Sequence, residues 1–218
     1  MQKEINLLVN ILENLKELCF ENETIYEGSI DSHDIILAKC GIGKVNAAVN
    51  TFRLIRSLNP DLVINSGVAG GAGLPIGSLL VAEKVAYDDV WCGPGTLYGQ
   101  ADGMPLFFEP YPLVIELLKD SDSHDKFNFG LICSGDKFIS TAEEIAFIKH
   151  HFPEVKAVDM ESAAIAQVCT LTNKPFAILR VVSDTPGEGE NISQYKDFWI
   201  KAPEKTFQAV NFIIRALK

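Results

Sequence analysis

The chain carries a nearly unbroken apolar run, Phe176–Val182, interrupted only by Arg180 and closed by Ser183 and Asp184. A run of this kind predicts a strand buried on both faces, as in a mostly parallel sheet covered by helices. Ahead of it, Ala164, Ile165, Val168 and Cys169 recur at helical spacing, and Asn173-Lys174-Pro175 marks the helix end. A short apolar run, Val155–Val158, comes before Asp159, Met160 and Glu161. Residues 155–184 therefore predict strand, helix, strand, with carboxylates closing each strand. In open α/β sheets the carboxyl ends of parallel strands share one edge, where ligands bind. Asp159, Glu161 and Asp184 are thus expected around one crevice. Taken singly, Glu161 reads equally well as a first-turn carboxylate favoured by the helix dipole, and Asp184 as a cap or turn residue.

The same reading extends along the rest of the chain. Ile5, Leu8, Leu12, Leu15 and Leu18 stand at helical spacing, which predicts an opening helix over 5–18. Segments 24–29 and 33–39 predict an antiparallel pair turning at Asp31-Ser32. A helix over 46–58 stops at Asn59-Pro60, and a buried strand over 61–65 runs into Ser66-Gly67-Val68-Ala69-Gly70-Gly71. Strands over 78–86 and 128–134, and helices over 112–120, 141–150 and 196–217, complete the pattern. Between them, residues 87–111 are rich in Gly, Pro and aromatics without periodicity, and a loop of that length is usually functional or mobile.

Composition narrows the function classes. The chain has 218 residues with a formal charge of −10, and no basic stripe offsets it, which argues against a nucleic-acid partner. Five cysteines, without CxxC spacing, read as small core residues in a reducing compartment. With no signal peptide and no apolar run of the ~18 residues a membrane span needs, the expectation is a soluble, cytoplasmic protein. The four histidines, His33, His124, His150 and His151, lack ligand spacing and are expected at the surface.

Single motifs leave alternatives open. Gly41-x-Gly43-Lys44 could present N–H groups to an anion, or simply form a tight turn needing positive φ. The small residues of 66–71 allow a ligand to approach the backbone. Phe138, just past a strand end in Ser134-Gly135-Asp136-Lys137-Phe138-Ile139, could stack on a heterocycle or cap the core.

Together, segments 38–48, 64–71, 134–139, 158–164 and 180–184 resemble, in this order, the nucleoside phosphorylase/hydrolase superfamily. Within it they look most like the 5′-methylthioadenosine/S-adenosylhomocysteine nucleosidase family. The resemblance covers essentially the whole chain. It implies one domain over 1–218, a three-layer αβα sandwich around a central mixed, largely parallel sheet. It also implies a homodimer with 87–111 facing the partner, a small nucleoside substrate, and neither cofactor nor metal.

Site roles follow from the same resemblance. Asp184, positioned by Ser183, would protonate the leaving purine at N7, and its apolar approach is a setting that raises a carboxyl pKa. Glu161 would accept hydrogen bonds from the ribose hydroxyls, with Met160 on the sugar face and Asp159 beside them. Phe138 would stack on adenine, with the Ile139 backbone at its edge. Val68, Ala69 and Gly70 would line the ribosyl site. Val68 stands where many nucleosidases have Ser, and Asp159 where Glu is more usual.

A phosphorylase recruits arginines to its dianionic co-substrate. The four here (Arg53, Arg56, Arg180, Arg215) are not placed for that, which favours water. The early Met1-Gln2-Lys3-Glu4-Ile5 matches the segment that supplies the water-activating glutamate, Glu4. A purine nucleoside phosphorylase, or a catalytically weak nucleoside-binding relative, is the alternative. The resemblance does not extend over the 87–111 loop, which leaves futalosine-type and other 5′-modified nucleosides open. The strand that opens family members is missing before Met1. The expectation is a natural start roughly ten residues earlier, room for one strand and a turn. A fraying Glu4 and weak activity are expected of the present chain.

Overall fold

The computed structural model describes residues 2–21, 23–120, 127–188, 191–198 and 202–217. Its centre is β8 (Phe176–Asp184), buried at all nine positions. It pairs in parallel with β4 (Val63–Gly71) and antiparallel with β5 (Leu79–Tyr87). Further parallel pairs join β5 to β6 (Phe127–Ser134), and β6 to β7 (Val155–Asp159). A short antiparallel contact between β4 and β7 closes the sheet into a barrel.

Successive β8 residues point to opposite faces, as the strand period of two requires. Phe176 and Ile178 pack with Ala47 and Ile55 of α2 (Lys44–Leu58) and with Ala164, Ile165 and Cys169 of α5 (Ser162–Leu171). Ala177, Leu179 and Val181 pack with Val114 and Leu118 of α3 (Pro112–Lys119) and with Ala209 and Ile213 of α7 (Ala202–Ala216). Fully burying a Val, Leu or Ile side chain contributes roughly 1.5–3 kcal/mol. The α/β class and the mixed, largely parallel sheet between helix layers are as expected; the curling into a barrel is a feature that periodicity does not reveal.

Strand directions differ from the expected crossover unit. Because β8 opposes β5 while β5, β6 and β7 run together, β7 and β8 run in opposite senses. Their carboxyl ends still meet, because Gly70 pairs with both Val158 and Asp184 where the barrel closes. Glycine is required at this junction. A Cβ on Gly70 would lie 2.9 Å from Pro186 Cγ, and one on Gly71 2.6 Å from the Leu74 carbonyl oxygen.

The opening helix needs correction. Helix α1 covers only Gln2–Val9, and β1 (Glu13–Phe20) replaces the rest. Leu15 and Leu18 are exposed on β1, so their helical spacing reflects no buried face. Strand β1 is the outer member of an antiparallel sheet with β2 (Glu23–Ile30) and β3 (His33–Leu37), the predicted hairpin. Asn59 ends α2 in the left-handed region, at φ 46°. Helix α4 (Ala142–His151) starts with a reciprocal capping box between Thr141 and Glu144, an arrangement whose cap is worth ~1 kcal/mol. The predicted last helix is two, α6 (Asn191–Phe198) and α7.

Residues 88–111 are packed rather than loose. Phe108 is buried and bridges Val85, while Val90, Ala101 and Met104 lie on the core. His150 is exposed, and His33 is half-buried with Nε2 2.9 Å from the Leu217 carbonyl oxygen; His124 lies outside the described residues. No helix among the described residues is long and apolar enough to cross a membrane.

Candidate active site

At the carboxyl end of β8, Ser183 and Asp184 are both buried. The Ser183 hydroxyl is 2.6 Å from Asp184 Oδ1 and donates to it, with the Ala69 carbonyl oxygen at 3.3 Å. The carboxyl end of β4, Val68–Gly70, thus lies against the acid.

At the end of β7 the outcome differs from expectation. Asp159, expected to bind substrate, is committed within the protein. Arg180 Nε donates to its Oδ2 at 2.7 Å, and Ser134 Oγ to its Oδ1 at 2.5 Å. The Ser162 hydroxyl donates to Oδ2, and the Ser162 N–H to Oδ1 at 3.2 Å. Asp159 therefore caps α5 and neutralises the one arginine buried in the core strand. A charge left alone at such depth costs about 3–5 kcal/mol, so the two are held as a buried pair. The remaining Arg180 donors go to Leu179 O at 2.8 Å and Asn65 Oδ1 at 2.6 Å.

Glu161 precedes α5, and its carboxylate turns toward the α2 loop, where the Gly43 N–H donates to Oε1 at 3.0 Å. Burial and the neighbouring Asp159 push the Glu161 carboxyl up from its ordinary value, while Arg180 and the Gly43 N–H oppose the shift. Gly41 and Gly43 have φ of 82° and 85°. Of the two readings of this loop, the tight turn is the one realised. One of its N–H groups does meet an anion, the protein's own carboxylate.

Glu4, near the other end of the chain, is buried to 3% exposure and accepts a 2.7 Å hydrogen bond from Thr206 Oγ1 of α7. Ile5 and Leu8 pack with Val210 and Ile214, seating α1 on α7. Glu4 is therefore held in place; the expected fraying is not what the structure shows. Phe138 is partly exposed and meets Tyr195 of α6 edge-to-face, with ring centroids 5.5 Å apart.

One cavity of about 960 Å³ joins these groups, within the range of small-molecule sites. Its lining includes Asp184, Ser183, Glu4, Glu161, Met160, Phe138, Ile139, Val68, Ala69, Gly70 and Asp159, every residue expected at the site. It also runs along β3, whose second edge no described strand covers. Asn65, Tyr195 and Thr206 were missed by sequence reasoning. Their partners lie far along the chain, and no local pattern marks them.

Asp88 was also missed. It is buried beside Asp89 and Asp159, its Oδ2 has no hydrogen-bond partner, and its carboxyl is pushed up to about 7, chiefly by burial. A carboxyl that carries its proton near neutrality loses less from such a position than an ionised one.

Comparison with known proteins gives a consistent set of likenesses. The family model described as phosphorylase superfamily matches residues 1–215. The 5′-methylthioadenosine/S-adenosylhomocysteine nucleosidase of Lysinibacillus sphaericus is 35% identical over 223 residues, spanning 100% of this chain and 96% of the relative. The S. pneumoniae nucleosidase of the same name, solved with a transition-state inhibitor, superposes with a TM-score of 0.94 at 36% identity, covering 100% of this chain and 96% of that one. A futalosine hydrolase mutant of Helicobacter pylori superposes with a TM-score of 0.93 at 26% identity, with coverage of 100% and 96%.

Proposed function

This chain belongs to the phosphorylase superfamily, among the 5′-methylthioadenosine/S-adenosylhomocysteine nucleosidases, and we propose that its cavity hydrolyses the N-glycosidic bond of adenine thionucleosides. The observation that carries the reading is the convergence of two carboxyl groups from opposite ends of the chain on one cavity. Asp184 is held by the Ser183 hydroxyl and Glu4 by that of Thr206.

In this reading the C1′–N9 bond breaks with its electron pair moving onto the purine, and Asp184 delivers a proton to N7. The sugar becomes an oxocarbenium ion. Glu4 takes a proton from water as the water oxygen bonds to C1′, so free adenine and a 5-thioribose leave. Glu161 accepts hydrogen bonds from the ribose hydroxyls, charge-assisted contacts that strengthen as the sugar becomes positive. Met160 lies on the sugar face, Phe138 and the backbone of Ile139 hold adenine, and Val68, Ala69 and Gly70 line the ribosyl site. Asp159 serves by neutralising Arg180. Because the guanidinium donates to Asp159, Asn65 and Leu179, it is not left to hold a phosphate dianion.

Incubation with 5′-methylthioadenosine is expected to release adenine at a rate independent of phosphate. Strict phosphate dependence with formation of a sugar 1-phosphate would assign a phosphorylase. Adenine binding without release would assign a silent binding relative. Either result overturns the reading.

The active form is a homodimer in this proposal. Val45, Val49 and Phe52 stand exposed at helical spacing along α2, with Ile42 exposed in the loop before it and Trp91 and Leu97 exposed in the 88–111 segment. Apolar surface of this kind at helical spacing marks an interaction face. Sedimentation is expected at twice the chain mass, and a monomer at micromolar concentration would sink the idea. The five free thiols suit a reducing, cytoplasmic setting.

A further inference from the structure

Lys44 is not among the residues lining the cavity. A short run of contacts nevertheless connects it to the carboxylate assigned to ribose. Its ammonium lies 2.7 Å from both Asp89 carboxylate oxygens, 3.9 Å from Asp136 Oδ2, and over the Tyr87 ring at 5.4 Å. Its backbone N–H donates to Asp136 Oδ1 at 2.7 Å, and the Asp136 N–H donates to Asp89 Oδ2 at 2.9 Å. These bonds form a closed ring around the first residue of α2. The residue before it is Gly43, whose N–H holds Glu161 at 3.0 Å.

Two features make the ring matter for Glu161. Helix α2 has no side-chain cap of its own, since its N-cap is Gly43; Asp136, from the loop after β6, supplies the acceptor instead. Gly43 itself has φ 85°, a conformation glycine enters and leaves at little cost, so its amide direction is set by what grips the next residue. That grip is the ring.

We infer that Lys44, through its clamp with Asp89 and Asp136, is a positioning residue that holds the Gly43 amide against Glu161 and so keeps the ribose-binding carboxylate in its productive place. The inference rests on Glu161 as the ribose ligand. Without the ammonium, the Asp89 and Asp136 carboxylates face each other uncompensated, and their repulsion draws Asp136 away from the α2 terminus. The Gly43 amide then turns, and Glu161 loses its donor. The groups facing Glu161 are Asp159, Arg180 and the Cys40 thiol. Burial and Asp159 already favour its protonated form, and the lost N–H had opposed them, so its carboxyl moves further up. Because the ionised form binds the hydroxyls, the acid limb of the rate profile moves to higher pH.

The test compares Lys44→Met, Lys44→Arg, Glu161→Gln and the double variant Lys44→Met/Glu161→Gln on 5′-methylthioadenosine across pH. Misplacement by about 1 Å can cost 10²-fold, so Lys44→Met is expected to lower kcat by about 10–100-fold, with a smaller change in KM and the acid limb shifted upward. Lys44→Arg restores most of the loss. In the Glu161→Gln background, Lys44→Met adds less than about twofold, the non-additivity of groups acting as a unit. Additive losses, or an unchanged pH profile and kcat in a folded Lys44→Met, overturn the inference. Asp89→Asn repeats the test should Lys44→Met not fold. If Glu161→Gln alone turns over like the wild type, the ribose assignment fails, a different result from a clamp that fails while Glu161→Gln is impaired.

Discussion

Asp184→Asn is expected to lower adenine release by about 10²–10⁴-fold, the usual contribution of a positioned general acid. The substitution is close to isosteric at a site only 2% exposed, and the Asn carbonyl oxygen can still accept the Ser183 hydroxyl now 2.6 Å from Asp184 Oδ1. The fold should therefore hold, and adenine should still bind beside Phe138. What disappears is the proton. An amide cannot deliver one to N7, so the purine must leave as an anion. A riboside whose leaving group departs readily as an anion, such as a nitrophenolate, should lose far less than methylthioadenosine in the variant. Equal losses on both substrates would point to a structural effect, and near-normal turnover on methylthioadenosine would remove Asp184 from the role.

Glu4→Ala is expected to cost a similar ~10²–10⁴-fold in turnover, because water is then no longer deprotonated as it attacks C1′. The placement of Glu4 suits a base. It is buried, on a helix packed against α7, with Thr206 fixing one oxygen at 2.7 Å. The two carboxyl groups can be told apart. Azide, an anionic nucleophile that needs no base, should restore adenine release in Glu4→Ala and form a glycosyl azide. It should do little for Asp184→Asn, where the leaving group is at fault. A Glu4→Ala variant with wild-type rates, or equal azide rescue of both, would show that Glu4 is not the base.

What the chain's local pattern determined is what local chemistry controls. The nearly unbroken apolar run of 176–182 predicted a strand covered on both faces, and it became β8. Asn59 stops α2 because it tolerates the left-handed conformation, and Thr141 with Glu144 starts α4 by satisfying its own end. The small residues at 66–71 include Gly70 and Gly71, which the protein's own Pro186 and Leu74 approach too closely for a Cβ. Many of the motif residues were legible because they stand at or just past the carboxyl ends of strands, Val68–Gly70 on β4, Asp159–Glu161 at the end of β7 and Ser183-Asp184 on β8.

Tertiary structure decided the pairings, which depend on contacts between residues far apart in the chain. Leu15 and Leu18 had the spacing of a helix but no surface to bury, so β1 paired with β2 instead. Asp159 looked like a ligand until Arg180, twenty-one residues on, took its carboxylate. Glu4 looked untethered until Thr206, from the far end of the chain, bonded to it. The crossover expected over 155–184 implied parallel strands, yet β7 and β8 oppose each other and meet only where β4 closes the barrel at Gly70. Periodicity records how each segment meets a neighbour. Which neighbour it meets is set by the closure of the sheet and by the need of each buried charge for a partner.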